Sequence, residues 1–187
     1  INQAVTRGLD PNVKLKPSGV EWLGEIPEHW KLIKLKHIAS LKSGINITSE
    51  SIDKQGIYPV YGGNGLRGYT TNYTHDGFHI LIGRQGALCG NINYACGKFW
   101  ASEHAIVVTP KINLEIYWLG ELLRAMNLNQ YSIAAAQPGL SVERIINLLI
   151  PLPSLDEQKQ ISEWINYNVK NLDQKISCIN REISLIQ

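Results

Sequence analysis

Ile150-Pro151-Leu152-Pro153-Ser154-Leu155-Asp156-Glu157-Gln158 divides this chain of 187 residues into two kinds of sequence. The prolines predict a break in whatever precedes them, because proline lacks an amide hydrogen and fixes its own φ. Ser154 and Glu157 then stand three apart as a capping box. The serine oxygen satisfies a free amide of the first helical turn while the glutamate reaches back. Neither Gly nor Pro follows, up to Gln187. Heptads with Val169, Ile176 and Ile183 at a put Ile165, Leu172, Ile179 and Ile186 at d, so the whole seam is apolar. The spacing predicts a helix of roughly 50 Å at 1.5 Å per residue. A seam that long calls for a partner helix, so a coiled coil is expected rather than an amphipathic helix lying wholly on its own domain. The β-branched a positions would suit a parallel pair, and the heptads alone do not set the orientation.

Upstream the character changes. The chain is 44% hydrophobic and 18% charged, with 16 Gly and 8 Pro. Enough apolar side chain is present to offset chain entropy, which excludes a disordered tail, and the turn formers imply a loop-rich core. Residues 57–61, 78–82, 92–95 and 105–109 are short, β-branched or aromatic, and bounded by Gly, Asn or Pro, so they read as strands. Trp118, Leu119, Leu122, Leu123 and Met126 share one face of a helix expected over 114–126, and a shorter helix opens at Ser141. Residues 1–9 read as the last turns of a helix, ended by Gly8 and Asp10-Pro11. The expectation is an α+β fold: a mixed, β-rich globular domain followed by one long C-terminal helix packing as a coiled coil.

No apolar run approaches the ~20 residues a membrane span needs. Cys89, Cys96 and Cys178, with no secretory leader, predict buried thiols in a reduced cytoplasm. Cys89 and Cys96 are too far apart for a CxxC pair, no His pair accompanies them, and no metal is expected.

Charge is unevenly spread. Residues 31–100 carry eight Lys and Arg against three acids, whereas the other residues carry ten against thirteen. This basic stretch is rich in Gly and interleaved with Tyr. Arg can bond guanine O6 and N7, Asn and Gln can bond adenine N6 and N7, and glycine lets backbone approach phosphate. Asn64, Arg67, Tyr69, Arg84, Gln85 and Asn91 are the candidate base readers, with Lys42 and Lys98 on phosphates. Polar loops of this composition also occur on ordinary surfaces. Tyr61, Trp22, Trp30 and Trp100 are expected to be packing residues.

Enzymatic motifs do not hold up. Gly63, Gly65 and Gly68 fit G-x-G-x-x-G, but Tyr69-Thr70-Thr71-Asn72-Tyr73-Thr74 follows where a dinucleotide site needs a helix. Glu157-Gln158-Lys159 could mimic a nuclease E-x-K, yet its glutamate belongs to the capping box. None of the five His stands at a recognisable spacing from a nucleophile. No catalytic residue is assigned.

The segment Lys16-Pro17-Ser18-Gly19-Val20-Glu21-Trp22-Leu23-Gly24-Glu25-Ile26-Pro27-Glu28-His29-Trp30 closely resembles the opening of target-recognition domains in type I restriction-modification specificity subunits. Tyr61-Gly62-Gly63-Asn64-Gly65, Ile82-Gly83-Arg84-Gln85-Gly86 with Cys89-Gly90, Phe99-Trp100-Ala101-Ser102, Gln137-Pro138-Gly139-Leu140-Ser141 and Ile150-Pro151-Leu152-Pro153 with Glu157-Gln158 follow in that family's order. Such subunits carry two recognition domains and two long helices, so the resemblance implies about half of one. Residues 1–16 would be the end of an upstream conserved helix and linker, 17–150 a target-recognition domain (the second), and 151–187 the conserved spacer helix; a natural half-length subunit that dimerises is the lesser possibility.

The resemblance further implies that the chain reads one half of a bipartite duplex DNA target. The long helix would pack antiparallel on the second conserved helix, or on a homodimer mate, and would dock modification subunits, with restriction subunits joining the complex. S-adenosylmethionine, ATP and Mg would be bound by partner subunits, and none by this chain. The alternatives are a coiled-coil scaffold without DNA affinity and a stand-alone DNA-modifying enzyme.

Overall fold

The computed structural model describes residues 1–86, 88–132 and 139–186, with side chains through Ser177. In chain order the elements are α1 (Asn2–Arg7), β1 (Leu15–Pro17), β2 (Glu25–Pro27), β3 (Lys31–Lys34), β4 (Ala39–Ser43), β5 (Tyr58–Gly62), β6 (Gly65–Thr70), β7 (His79–Gly83), β8 (Ile92–Ala95), β9 (Trp100–Ala101), β10 (Ala105–Pro110), α2 (Ile116–Ala125), α3 (Val142–Ile146), β11 (Leu149–Leu152) and α4 (Leu155–Ile186). The fold is mixed α+β.

Its centre is an antiparallel sheet in the order β4-β10-β7-β8. Val107 pairs with Leu81 and Lys42, and Leu81 pairs with Asn93, so these four share one face. Val108, Ile80, Leu41 and Tyr94 share the other. The runs Ile80-Leu81-Ile82 and Ile106-Val107-Val108 are apolar without alternation because both faces are covered. On one side Leu41, Ile80, Ile82, Ile106 and Val108 join the main core with Trp118, Leu119, Leu122 and Leu123 of α2. On the other, Leu81 and Val107 pack with Phe99, Ala101 and Tyr61, beneath the small sheet β6-β5-β9. All five residues on the expected face of α2, Met126 included, are fully buried.

Pro151 departs from expectation. It lies within β11, opposite Leu32 of β3, instead of ending the structure before it. The β11–β3 pair is a two-stranded sheet, so each strand has a free edge where a residue without an N–H is tolerated.

The capping box forms as read. Ser154 donates from N and Oγ to Glu157 Oε2 at 3.0 and 2.8 Å, and Glu157 N donates back to Ser154 Oγ at 3.3 Å. The seam of α4 then divides. Ile161 and Ile165 are buried in the main core with Ala4 and Val5 of α1, and Val169 packs against it. A partner helix is therefore not needed at Ile165 or Val169, because α1 and α2 flank the first turns. Leu172 and Ile176 are 57% and 55% exposed. The side chains of Ile179, Ile183 and Ile186 lie outside the described residues, as do Gln137 and Pro138.

Candidate nucleic-acid interface

Two of the most distinctive sequence landmarks meet in space, and they do structural work. Trp30 is buried, and its Nε1 donates to Glu157 Oε1 at 3.0 Å, while His29 Nε2 lies 2.7 Å from the same oxygen. Burial alone would raise the Glu157 pKa, but the hydrogen bonds from Trp30, His29 and Ser154 outweigh it and hold the carboxyl at about 2. The neighbouring Gln158 accepts from Glu115 N at 3.0 Å and donates to Pro153 O at 3.1 Å, tying the starts of α2 and α4 together. A carboxylate with a depressed pKa stabilises the fold fully above its unfolded value of 4.5 and loses that contribution as pH falls through about 2. Urea midpoints should therefore drop between those pH values in the native chain and less steeply in Glu157→Gln.

The polar residues converge elsewhere, where two hairpins touch through glycine. A Cβ on Gly83 would lie 2.3 Å from Gly63 O and 2.8 Å from Leu88 O. The turn at Gly63-Asn64 and the loop after β7 thus meet backbone to backbone. Gly65, which opens β6, adopts φ 90. Gly68 pairs with Val60 and Leu66 with Tyr61, so Arg67 is the extra residue of a β-bulge. Bulges re-aim a side chain, and the Arg67 stem lies over Gly62, where a Cβ would meet its Cδ at 2.5 Å.

The result is an open depression lined by Gly63, Asn64, Arg67, Gln85, Leu88 and His104. Asn91 Nδ2 donates to Asn64 Oδ1 at 3.1 Å. His104 Nδ1 lies 3.0 Å from Gln85 Oε1, and its Nε2 lies 3.0 Å from Glu103 Oε1. Asn64, Arg67 and Gln85 are exposed, as is half of Leu88. Amide, guanidinium, imidazole and apolar groups together offer the donors, acceptors and methyl contacts that base edges require.

Of the residues expected to read DNA, Asn64, Arg67, Gln85 and Asn91 are brought together. Arg84 is adjacent in the chain but half-buried, and its backbone is spent on the loop. Its amide donates to His104 O at 2.8 Å, and its carbonyl accepts from Leu140 N at 2.9 Å. Tyr69 is half-buried on β6, opposite Pro59 and bridged to Asp53. Tyr61, whose phenol is pushed up by burial and then by Tyr69 and Cys96, packs edge-on to Phe99. Lys98 sits 4.7 Å from the centre of the Tyr73 ring, which packs against Tyr58 at the start of β5, whereas Asn64 follows its end. Lys42 is exposed on β4.

His104, Glu103 and Leu88 were not singled out from the sequence. β9 pairs in parallel with β5, which delivers the residues after it to the hairpin tip. Such a pairing across some forty residues leaves no local trace, and only the proximity of Glu103-His104 to the Phe99-Trp100-Ala101-Ser102 landmark hinted at it.

Cys89 is buried, and burial raises its thiol pKa, but Cys96 is exposed, contrary to the expectation of buried thiols. Cys178 lies outside the described side chains. Among the described residues no three His, Cys, Asp or Glu groups gather closely enough to hold a metal ion, and no helix is long and apolar enough to cross a membrane.

The fold is that of type I specificity subunits. The crystal structure of the S subunit from M. genitalium superposes with a TM-score of 0.71 at 18% identity, covering 93% of this chain and 44% of that one. HsdS from Thermoanaerobacter tengcongensis gives 0.61 at 18% identity over 89% of this chain and 42% of that one.

Residues 27–186 match the family model of the type I restriction modification DNA specificity domain, and the chain belongs to that family, with one target-recognition domain. The EcoprrI specificity subunit of Escherichia coli is 45% identical over 132 residues, which cover 68% of this chain and 33% of the relative. A putative specificity subunit of Haemophilus influenzae, S.HindORF215P, is 32% identical over 114 residues, 59% of this chain and 30% of the relative. The chain spans about a third of the length of these curated relatives.

Proposed function

We propose that this chain reads one half of a bipartite duplex DNA sequence as the specificity element of a type I restriction-modification complex. The observation that carries the reading is the convergence of Asn64, Arg67 and Gln85 on one open depression, with Asn91 bonded to Asn64 beside it, within a specificity-domain fold. Lys42, Lys98 and the basic surplus of residues 31–100 supply sequence-independent attraction to phosphates. Arg84 and Tyr69 act mainly by holding the loop and the hairpin that present the readers.

The domain limits follow the same reading: 1–16 as the end of a preceding helix and linker, 17–150 as the recognition domain, and 151–187 as the spacer. The distal seam of α4, uncovered at Leu172 and Ile176, pairs with a second long helix of a fuller subunit or of a second copy. That helix and the surface near it dock the modification subunits. Methyl transfer with S-adenosylmethionine and ATP- and Mg-dependent cleavage belong to partner subunits. The chain itself carries no catalysis.

Arg67→Ala tests the reading. Loss of a bidentate guanine contact should cost about 1–3 kcal/mol, or about 5- to 150-fold, and relax preference at one base pair. Competition titrations with single-base-pair duplex variants measure this. An equal loss on every sequence would reassign Arg67 to phosphate. Absence of salt-dependent binding to any duplex would favour the pure scaffold.

A further inference from the structure

His104 stands between an acceptor that is fixed and an amide that can turn. Glu103 Oε1 lies 3.0 Å from His104 Nε2, and Gln85 Oε1 lies 3.0 Å from Nδ1. A carboxylate only accepts, so Nε2 carries a hydrogen in this arrangement. Glu103 Oε2 is buried without a hydrogen-bond partner among the described residues, which leaves the carboxylate dependent on the ring. The ring is anchored from behind, since its backbone carbonyl accepts from Arg84 N at 2.8 Å and its amide donates to Ser102 Oγ at 3.4 Å.

The state of Nδ1 then decides how Gln85 sits. A bare Nδ1 accepts, so the carboxamide turns its NH2 to the ring and leaves its carbonyl free. A protonated Nδ1 donates, so the carboxamide turns its oxygen inward and leaves its NH2 free. We propose that His104, oriented by Glu103, is a positioning residue that sets which end of the Gln85 carboxamide faces the DNA, and so which base Gln85 prefers. The inference rests on the depression being the DNA interface. A free carbonyl suits adenine N6 or cytosine N4, whereas a free NH2 suits guanine O6 and N7 or thymine O4. The base preference at one position therefore changes as the ring titrates. Charged groups close by are Glu103 against the ring, Arg67 lining the same depression, and Arg84 next to Gln85 in the chain.

Two measurements on the native chain test the device. In an NMR titration, the Gln85 side-chain amide should shift with the same midpoint as the His104 ring. Gln85 resonances that stay still while His104 titrates would overturn the proposal. Duplex competition on either side of the midpoint found in that titration should show a change of about fivefold or more in preference at one base pair, a difference abolished in His104→Ala. Equal preference at both pH values, with duplex still bound, would likewise overturn it. If no duplex is bound at either pH, the recognition role fails, and the NMR titration still decides the clamp.

Discussion

Trp30→Ala is expected to lower folding stability by about 3–5 kcal/mol, much of the margin of about 5–15 kcal/mol typical of such domains. Trp30 is 1% exposed, among the largest side chains fully buried in the main core, alongside Ile26 and Leu35. Gly8 rests against its ring, where a Cβ would lie 3.4 Å from Cζ2, and its Nε1 is spent on Glu157. One side chain thus joins the end of α1, the segment after β2 and the start of α4. Trp30→Phe keeps most of the apolar volume but withdraws the donor, so it should cost less, about 1–3 kcal/mol. It should also weaken the dependence of stability on acid that Glu157 confers. Urea unfolding of both variants checks this. A loss below about 1 kcal/mol for Trp30→Ala would mean that the three elements are held together by other contacts.

Gly83→Ala should damage both stability and recognition. The added Cβ meets backbone, Gly63 O at 2.3 Å and Leu88 O at 2.8 Å, so no side chain can swing aside. The hairpins must separate, at a cost of about 1–3 kcal/mol. Separation moves Gln85 away from Asn64 and takes apart the depression both line. DNA affinity should consequently fall by more than the loss of any single reader, because several contacts go together. Gly139→Ala is the control: among the described residues its Cβ meets only Arg84 O at 3.9 Å, an ordinary contact, and it should be close to neutral. Thermal melts together with duplex titrations measure both effects. Full affinity in a folded Gly83→Ala would show that the two hairpins act independently.

The parts of this fold visible in the sequence are those fixed by local chemistry. α2 was legible because its five apolar residues recur at helical spacing, and the start of α4 because Ser154 and Glu157 form a local cap. Strands β5, β7, β8 and β10 were legible as short apolar runs, each displaced by no more than a residue at either end. Strands β1 to β4, β6, β9 and β11 were missed. Most are two to five residues long, and their identity as strands comes from distant partners, as when Leu149–Leu152 pairs with Lys31–Lys34. The same limit governs the site. Asn64, Arg67, Gln85 and Asn91 could be named from composition, since turn-rich polar segments present such side chains. Their separation from Lys98, and the arrival of Glu103 and His104, depend on the β5–β9 pairing and on glycine contacts at Gly63 and Gly83. Seam coverage was legible only in part, because which heptad sites the domain itself buries depends on where α1 docks.

Selection of duplexes from a fully randomised pool by the native chain, sequenced after several rounds, bears most directly on the role of the depression. The account predicts enrichment of one short contiguous motif, with binding that weakens steeply as salt rises and with a preference altered by changes at Asn64, Arg67 or Gln85. A pool that stays random, or a motif untouched by all three substitutions in folded protein, would contradict it.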